Sequence, residues 1–204
     1  MSSPIGYQQQ SAPQASNQSG PGTGIYIAFV PWVLFTLVTQ HDTLLAAAVV
    51  ALAAAAAISL PSILKGRPKL LELAAVAAFA GFTAVALVAD AATTADVARY
   101  ARAIAAAGLA VTAFGSLLFV PFTEQYARES VPLQFWNSPS FKKVNRQLTV
   151  TWGWVFTAMI PSHLIAGAID THRANTIFNW AIPIVLVVWA AKRTAAVTAT
   201  AKNA

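Results

Sequence analysis

The chain has 204 residues, 57% of them hydrophobic and 10% charged, with a net charge of +6 and no cysteine. Ordinary globular domains carry about 25% charged residues, so this composition points away from a water-soluble domain. The lack of cysteine excludes disulfides, thiolate nucleophiles and Cys-ligated metal or iron–sulfur centres.

The few charges collect between long apolar runs, because an ionisable group at the centre of a bilayer costs several kcal/mol. About six runs are long enough to cross a bilayer. The fold expected is all-α: a polytopic transmembrane helical bundle of about six spans. At about 20 residues per span, no separate soluble catalytic domain fits. The basic excess flanks the spans, which matches anionic lipid headgroups and topology setting, with no call for nucleic acid.

In chain order, residues 1–24 are rich in Ser, Gln, Pro and Gly, carry no charged side chain, and read as a disordered polar tail. They lack the basic region of a signal peptide. The transmembrane domain is expected over 25–193. Span 1 (25–39) is aromatic, short and interrupted by Pro31; Gln40, His41 and Asp42 form a turn after it. Span 2 (44–64) is mostly Ala and Val, suited to burial among helices. The basic loop Lys65, Arg67, Pro68, Lys69 leads to span 3 (70–89), where Glu72 falls in the first turn within reach of Lys69. Residues 90–100 read as a polar connection. Span 4 (101–122) carries Gly108, Thr112 and Ser116 as a small-residue stripe for packing. A cytoplasmic interfacial segment covers 123–147. Span 5 (148–169) contains Pro161, span 6 (177–191) contains Pro183, and 194–204 is a short polar tail.

Lysine and arginine set the orientation. Lys65, Arg67 and Lys69, then Arg128, Lys142, Lys143 and Arg146, then Lys192, Arg193 and Lys202, fall on one side. Arg99, Arg102 and Arg173 fall on the other. Both termini are therefore expected in the cytoplasm. All four Asp then lie outside and all three Glu inside.

In the interfacial segment, Ser138 as N-cap with Pro139 at the first helical position predicts a helix that starts at the interface and continues into span 5. Phe135, Trp136 and Phe141 are expected at headgroup level, with Lys142, Lys143 and Arg146 toward phosphates. Arg128 is placed to pair with Glu124 or Glu129. The segment has two readings. It anchors the bundle in the lipid, or Tyr126, Arg128, Glu129, Phe135, Trp136, Phe141, Lys142, Lys143, Asn145 and Arg146 form a docking face for a membrane protein or for anionic lipid.

The pattern Phe122-Thr123-x-x-Tyr126-Ala127-Arg128-Glu129-x-Val131-Pro132, followed by Trp136, Pro139-x-Phe141, Asn145-Arg146 and Trp152, resembles a group of uncharacterised bacterial multi-pass membrane proteins. The arrangement Asn145, Trp152, Phe156 is distantly similar to the last part of the intracellular septation protein A family. The resemblance implies a bacterial plasma (inner) membrane protein linked to envelope or division machinery, without known catalytic residues.

Span 5 carries a Ser-His pair at membrane depth. Ser162 and His163 follow Pro161, whose ring frees a backbone carbonyl. An ionisable residue inside a span is a functional candidate; the alternative is a hydrogen bond to a neighbouring helix. Haem ligation needs a second histidine at the same depth, and no cofactor is expected. His41, Asp42, Asp170 and His172 are metal-type ligands near the outer surface, or simply solvated turn residues. No Walker, G-x-S-x-G, H-E-x-x-H or D-x-D motif occurs. Three functions remain open: a non-enzymatic envelope scaffold or accessory subunit acting through 126–146; a small transporter or channel around His163, which as so short a chain would work as a homo-oligomer; and a lipid-handling enzyme with an outward His/Asp site.

Overall fold

The computed structural model describes residues 23–202. All but the last two residues of the expected N-terminal tail lie outside the described residues. Among the described residues the chain is helical, with no strand. The elements are α1 (Thr23–Ala28), α2 (Val30–Val38), α3 (Leu44–Leu64), α4 (Leu70–Val88), α5 (Ala91–Ser116), α6 (Phe122–Ala127), a single 3₁₀ turn (Leu133–Phe135), α7 (Pro139–Ile169), α8 (His172–Ala174), a π-helical segment (Asn175–Ala181) and α9 (Ile182–Lys202). Five helical stretches are long and apolar enough to cross a membrane: α3, α4, α5, α7 and the continuous run from α8 to α9. This is the architecture of a membrane-embedded helical bundle.

The first expected span is shorter than the others and broken. Pro31 lacks an N–H and its ring crowds the carbonyl four residues earlier, so α1 stops and α2 restarts one residue later. Gly24 lies beside Glu129 and Tyr126 at one end, and Thr39 meets Arg102 at the other. The α1–α2 pair thus runs the length of the bundle.

Caps fix several helix starts. The Thr43 hydroxyl accepts from the Ala46 N–H at 3.2 Å, and the Ser138 hydroxyl accepts from the Phe141 N–H at 3.2 Å, so α7 begins at Pro139 and continues unbroken through Pro161. Asp90 caps α5 by accepting from the Thr93 N–H at 2.8 Å, and this bond holds its carboxyl below the usual range. Residues 91–100, expected as a connection, are therefore the first turns of α5. The residues expected as a C-terminal tail are helical as far as Lys202. Alanine and threonine there favour or tolerate continuation, and no proline or glycine stops it.

The bundle packs through small residues. Ala47, Ala48, Ala51 and Ala55 of α3 are all at most 2% exposed. Close backbone approach replaces the hydrophobic drive that lipid tails cannot supply. The longest interface is between α5 and α7. Among the buried residues of α5 are Ala101, Ala105, Leu109 and Ala113, with Ser116 following. Gly108 of the expected stripe faces open space. Alanine is small on every side of α5, so residue size alone does not mark the buried face.

On α7, a Cβ at Gly153 would lie 2.8 Å from the Phe114 ring, and one at Gly167 would lie 2.7 Å from the Tyr100 ring and 3.2 Å from the Arg99 carbonyl oxygen. Gly167→Val is expected to lower stability by about 1–3 kcal/mol through overpacking, read as an earlier unfolding midpoint in detergent. An unchanged midpoint would show that the two helices separate freely there.

An interhelical cavity as the candidate site

An aromatic cluster holds α2 against its neighbours. Trp32 and Phe35 lie 4.8 and 5.2 Å (ring centroids) from Phe79 of α4, and Phe35 stacks on Phe82 at 5.0 Å. Phe29 stacks on Trp152 of α7 at 5.4 Å. Because α1 and α2 are short and α9 packs mainly on α7, these elements do not close over one another. They leave a cavity of about 420 Å³ bounded by α2, α5, α7, the π segment and α9. Its apolar walls include Phe29, Trp32, Leu109, Trp152, Phe156 and Val188.

The cavity has one polar end, built by Thr36, Arg102, His163 and Asn179. These residues form a continuous network. Arg102 donates to the Thr36 carbonyl and the Thr39 hydroxyl, both at 3.1 Å, and to Asn175 Oδ1 at 3.4 Å. Asn179 Nδ2 donates to the same Asn175 oxygen at 2.9 Å. Asn179 Oδ1 lies 2.7 Å from His163 Nδ1. Arginine only donates, which orients the Asn175 amide, then the Asn179 amide. His163 Nδ1 is thereby the donor to Asn179, leaving Nε2 as the second ring nitrogen with a lone pair in the neutral ring.

Ser162 has a separate task. In the π segment each N–H reaches five residues back, as Ile182 N–H does to the Ile177 carbonyl. The next donor in that register would be residue 183, which is proline and has no N–H. The freed Phe178 carbonyl accepts instead from the Ser162 hydroxyl at 2.6 Å. Ser162 and His163 of α7 thus both bond to the π segment.

Two residues that line the cavity each hold a buried donor without a partner: Trp32 Nε1 and Arg102 Nε. Arg102 is half-buried, and no carboxylate among the described residues pairs with it. Elsewhere, Arg99 pairs with Asp170, Arg128 with Glu124, and Lys69 with Glu72 and Glu129.

The 123–147 segment folds largely onto itself. Tyr126 is buried, its hydroxyl unpartnered, and burial together with Glu72 and Glu129 pushes that phenol well above its usual range. Lys69 sits over its ring at 4.5 Å and reaches Glu129 at 2.7 Å. Arg128 bonds Glu124 at 2.6 Å and lies over the Trp136 ring at 5.0 Å, while Trp136 Nε1 donates to the Val131 carbonyl at 2.8 Å. Asn145 is buried, donates to the Phe141 carbonyl, and its own carbonyl accepts from Thr123. Phe141 is half-buried; Leu133, Phe135, Lys142, Lys143 and Arg146 remain exposed.

At the other end, His41, Asp42 and His172 are exposed, and Asp170 is taken by Arg99. No three His, Asp or Glu side chains among the described residues gather as a metal site would require, so His41, Asp42, Asp170 and His172 do not assemble into one.

Sequence reasoning singled out His163 and Ser162, and placed Arg102 in the first turn of span 4, at the outer end, without assigning it a role. The missed signal was Asp90: as an N-cap it starts α5 eleven residues before Ala101, so Arg102 lies in the helix body. The fold and this site define a polytopic α-helical bundle with an aromatic-walled cavity between its helices. No protein-family model, curated protein or solved structure matches the chain.

Proposed function

We propose that this is an integral membrane protein that holds a lipid-like amphiphile in its interhelical cavity, in the plasma membrane of a bacterium. In this reading α1–α2 completes six crossings, and the ends bearing Lys65, Arg146 and Lys192 face the cytoplasm. The observation that carries the reading is the cavity itself: an aromatic and aliphatic slot in which Thr36, Arg102, His163 and Asn179 gather into one polar network. Binding sites are mostly apolar with a few convergent polar groups, and an amphiphile has the same division. The exposed Leu133 and Phe135 beside Lys142, Lys143 and Arg146 support anchoring of the 126–146 segment in anionic headgroups. A docked partner on that segment would find Tyr126, Arg128, Glu129 and Trp136 already engaged within the chain.

The test uses tryptophan fluorescence, since Trp32, Trp152 and Trp180 line the cavity. The full chain in lipid nanodiscs is titrated with a single-chain amphiphile brominated along its tail. Saturable quenching is expected. Ala106→Phe, which projects a ring from a cavity-lining position, is expected to abolish the saturable part while circular dichroism stays helical. Equal saturable quenching in both proteins would remove the cavity as the binding site.

A further inference from the structure

The cavity reading above leaves the chemistry of the head group open, and the following inference rests on that reading. We propose that the occupant is a single-chain amphiphile with an anionic acid head, a carboxylate or a phosphate, seated at Arg102 with its tail running toward Leu109 and Trp152.

The first argument is charge. Among the described residues Arg102 is the one Lys or Arg that lines the cavity, and its three hydrogen bonds go to a carbonyl, a hydroxyl and an amide oxygen, all neutral. A cation at membrane depth is costly unless an anion or a rich set of acceptors meets it. Lys69 and Arg128, also half-buried, each have a carboxylate. At Arg102 the matching anion is left to come from outside the chain.

The second argument is hydrogen-bond capacity. Arg102 Nε and Trp32 Nε1, in two residues that line the cavity, are buried donors without a partner. An unmet buried donor costs about 1–3 kcal/mol, and an acid head offers acceptors only. A neutral alcohol brings one acceptor and adds a donor. Guanidinium binding to a carboxylate or phosphate is the stronger, charge-assisted kind.

The third argument is size. From His163 at the polar end to Trp152 at the apolar end is about 16 Å along α7 at 1.5 Å per residue. That is about half of a 30 Å hydrocarbon core, the depth of one leaflet. The volume of about 420 Å³ lies low in the range of about 300–1,000 Å³ for small-ligand sites, which fits one chain and not two.

The experiment titrates the full chain in nanodiscs of neutral lipid with three brominated probes of equal tail length: a fatty acid, the phosphate monoester and the alcohol. The pH is set so that both acids are ionised. The native protein is expected to bind the fatty acid and the phosphate at least about tenfold more tightly than the alcohol, the size of a hydrogen bond to a charged group. The order of the two acids then separates a carboxylate from a phosphate source. Arg102→Gln is expected to weaken both acids about tenfold and leave the alcohol unchanged, and Arg102→Lys to retain part of the preference. Equal affinity for all three probes in the native protein would overturn the anionic head while leaving the cavity as an amphiphile site. No saturable quenching by any probe would overturn both. If Arg102→Gln does not fold, the acid-to-alcohol ratio of the native protein decides.

Discussion

Replacing Lys69 by methionine is expected to lower the unfolding free energy by about 3 kcal/mol, at the lower edge of what breaking a buried ion pair costs. Glu72 is 5% exposed and stands in the first turn of α4. Its carboxylate has the Ser62 hydroxyl at 2.6 Å and Lys69 Nζ at 3.4 Å. Lys69 also reaches Glu129 and the Tyr126 ring, so one ammonium joins the α3–α4 turn to α6 and the residues after it. Methionine preserves the apolar stem and removes the charge. Glu72 then keeps only a serine and the positive end of α4, whose dipole contributes less than a full charge. Reversible unfolding in detergent measures the loss. The double variant Lys69→Met/Glu72→Gln separates the pair from its surroundings. It is expected to be more stable than the sum of the single losses by about 1–2 kcal/mol, the coupling typical of residues in direct contact. Strictly additive losses would mean that Glu129 and Tyr126, and not Glu72, are the partners that matter.

Trp152→Ala is the second large effect, expected at about 2–3 kcal/mol. Trp152 is 1% exposed, stacks on Phe29 and packs on Phe156 at 5.7 Å, and its Nε1 donates to the Thr194 hydroxyl at 3.2 Å. In a water-soluble core the same truncation costs about 3–5 kcal/mol, part of it transfer from water and part the space left behind. In lipid the transfer part shrinks, because the tails are as apolar as the interior, and lost packing is what remains. The variant also frees α9 from α7 near residue 194. Proteolysis or deuterium exchange of 185–202 is expected to rise with it. Unchanged protection there would assign the α7–α9 contact to other residues.

The sequence made the helical elements legible because lipid imposes a simple rule: apolar runs cross and charges sit at their ends. Ser138-Pro139 similarly marked the start of α7, since cap and first-turn proline act locally. What could not be read is the rotation of each helix about its axis. In water one face is polar and marks itself; in lipid both faces are apolar, and α5 shows the result at Gly108 and Ala105. The site was half legible for the same reason. His163 and Ser162 stand out in an apolar run. Arg102 stood in the first turn of span 4 beside other polar residues, and only the cap at Asp90 places it in the body of the helix. Asn175 read as a turn residue and Asn179 as an unremarked part of span 6, because nothing in their local sequence announces a π segment; Pro183 and the distant Ser162 together complete its bonding.

That π segment bears on ancestry. A π turn holds one residue more than an α turn, and each residue of an α-helix turns the chain by about 100°. A relative shorter by one residue between positions 175 and 181 would carry an ordinary α-helix there. Everything on one flank would be turned by about that angle relative to the other, parting the counterparts of Asn175 and Phe178 from those of Arg102 and Ser162. The polar end of the cavity could then have arisen through a single inserted codon, without any change in the side chains of α5 or α7. Lineages that have the site and lineages that lack it would be told apart by the length of one seven-residue stretch.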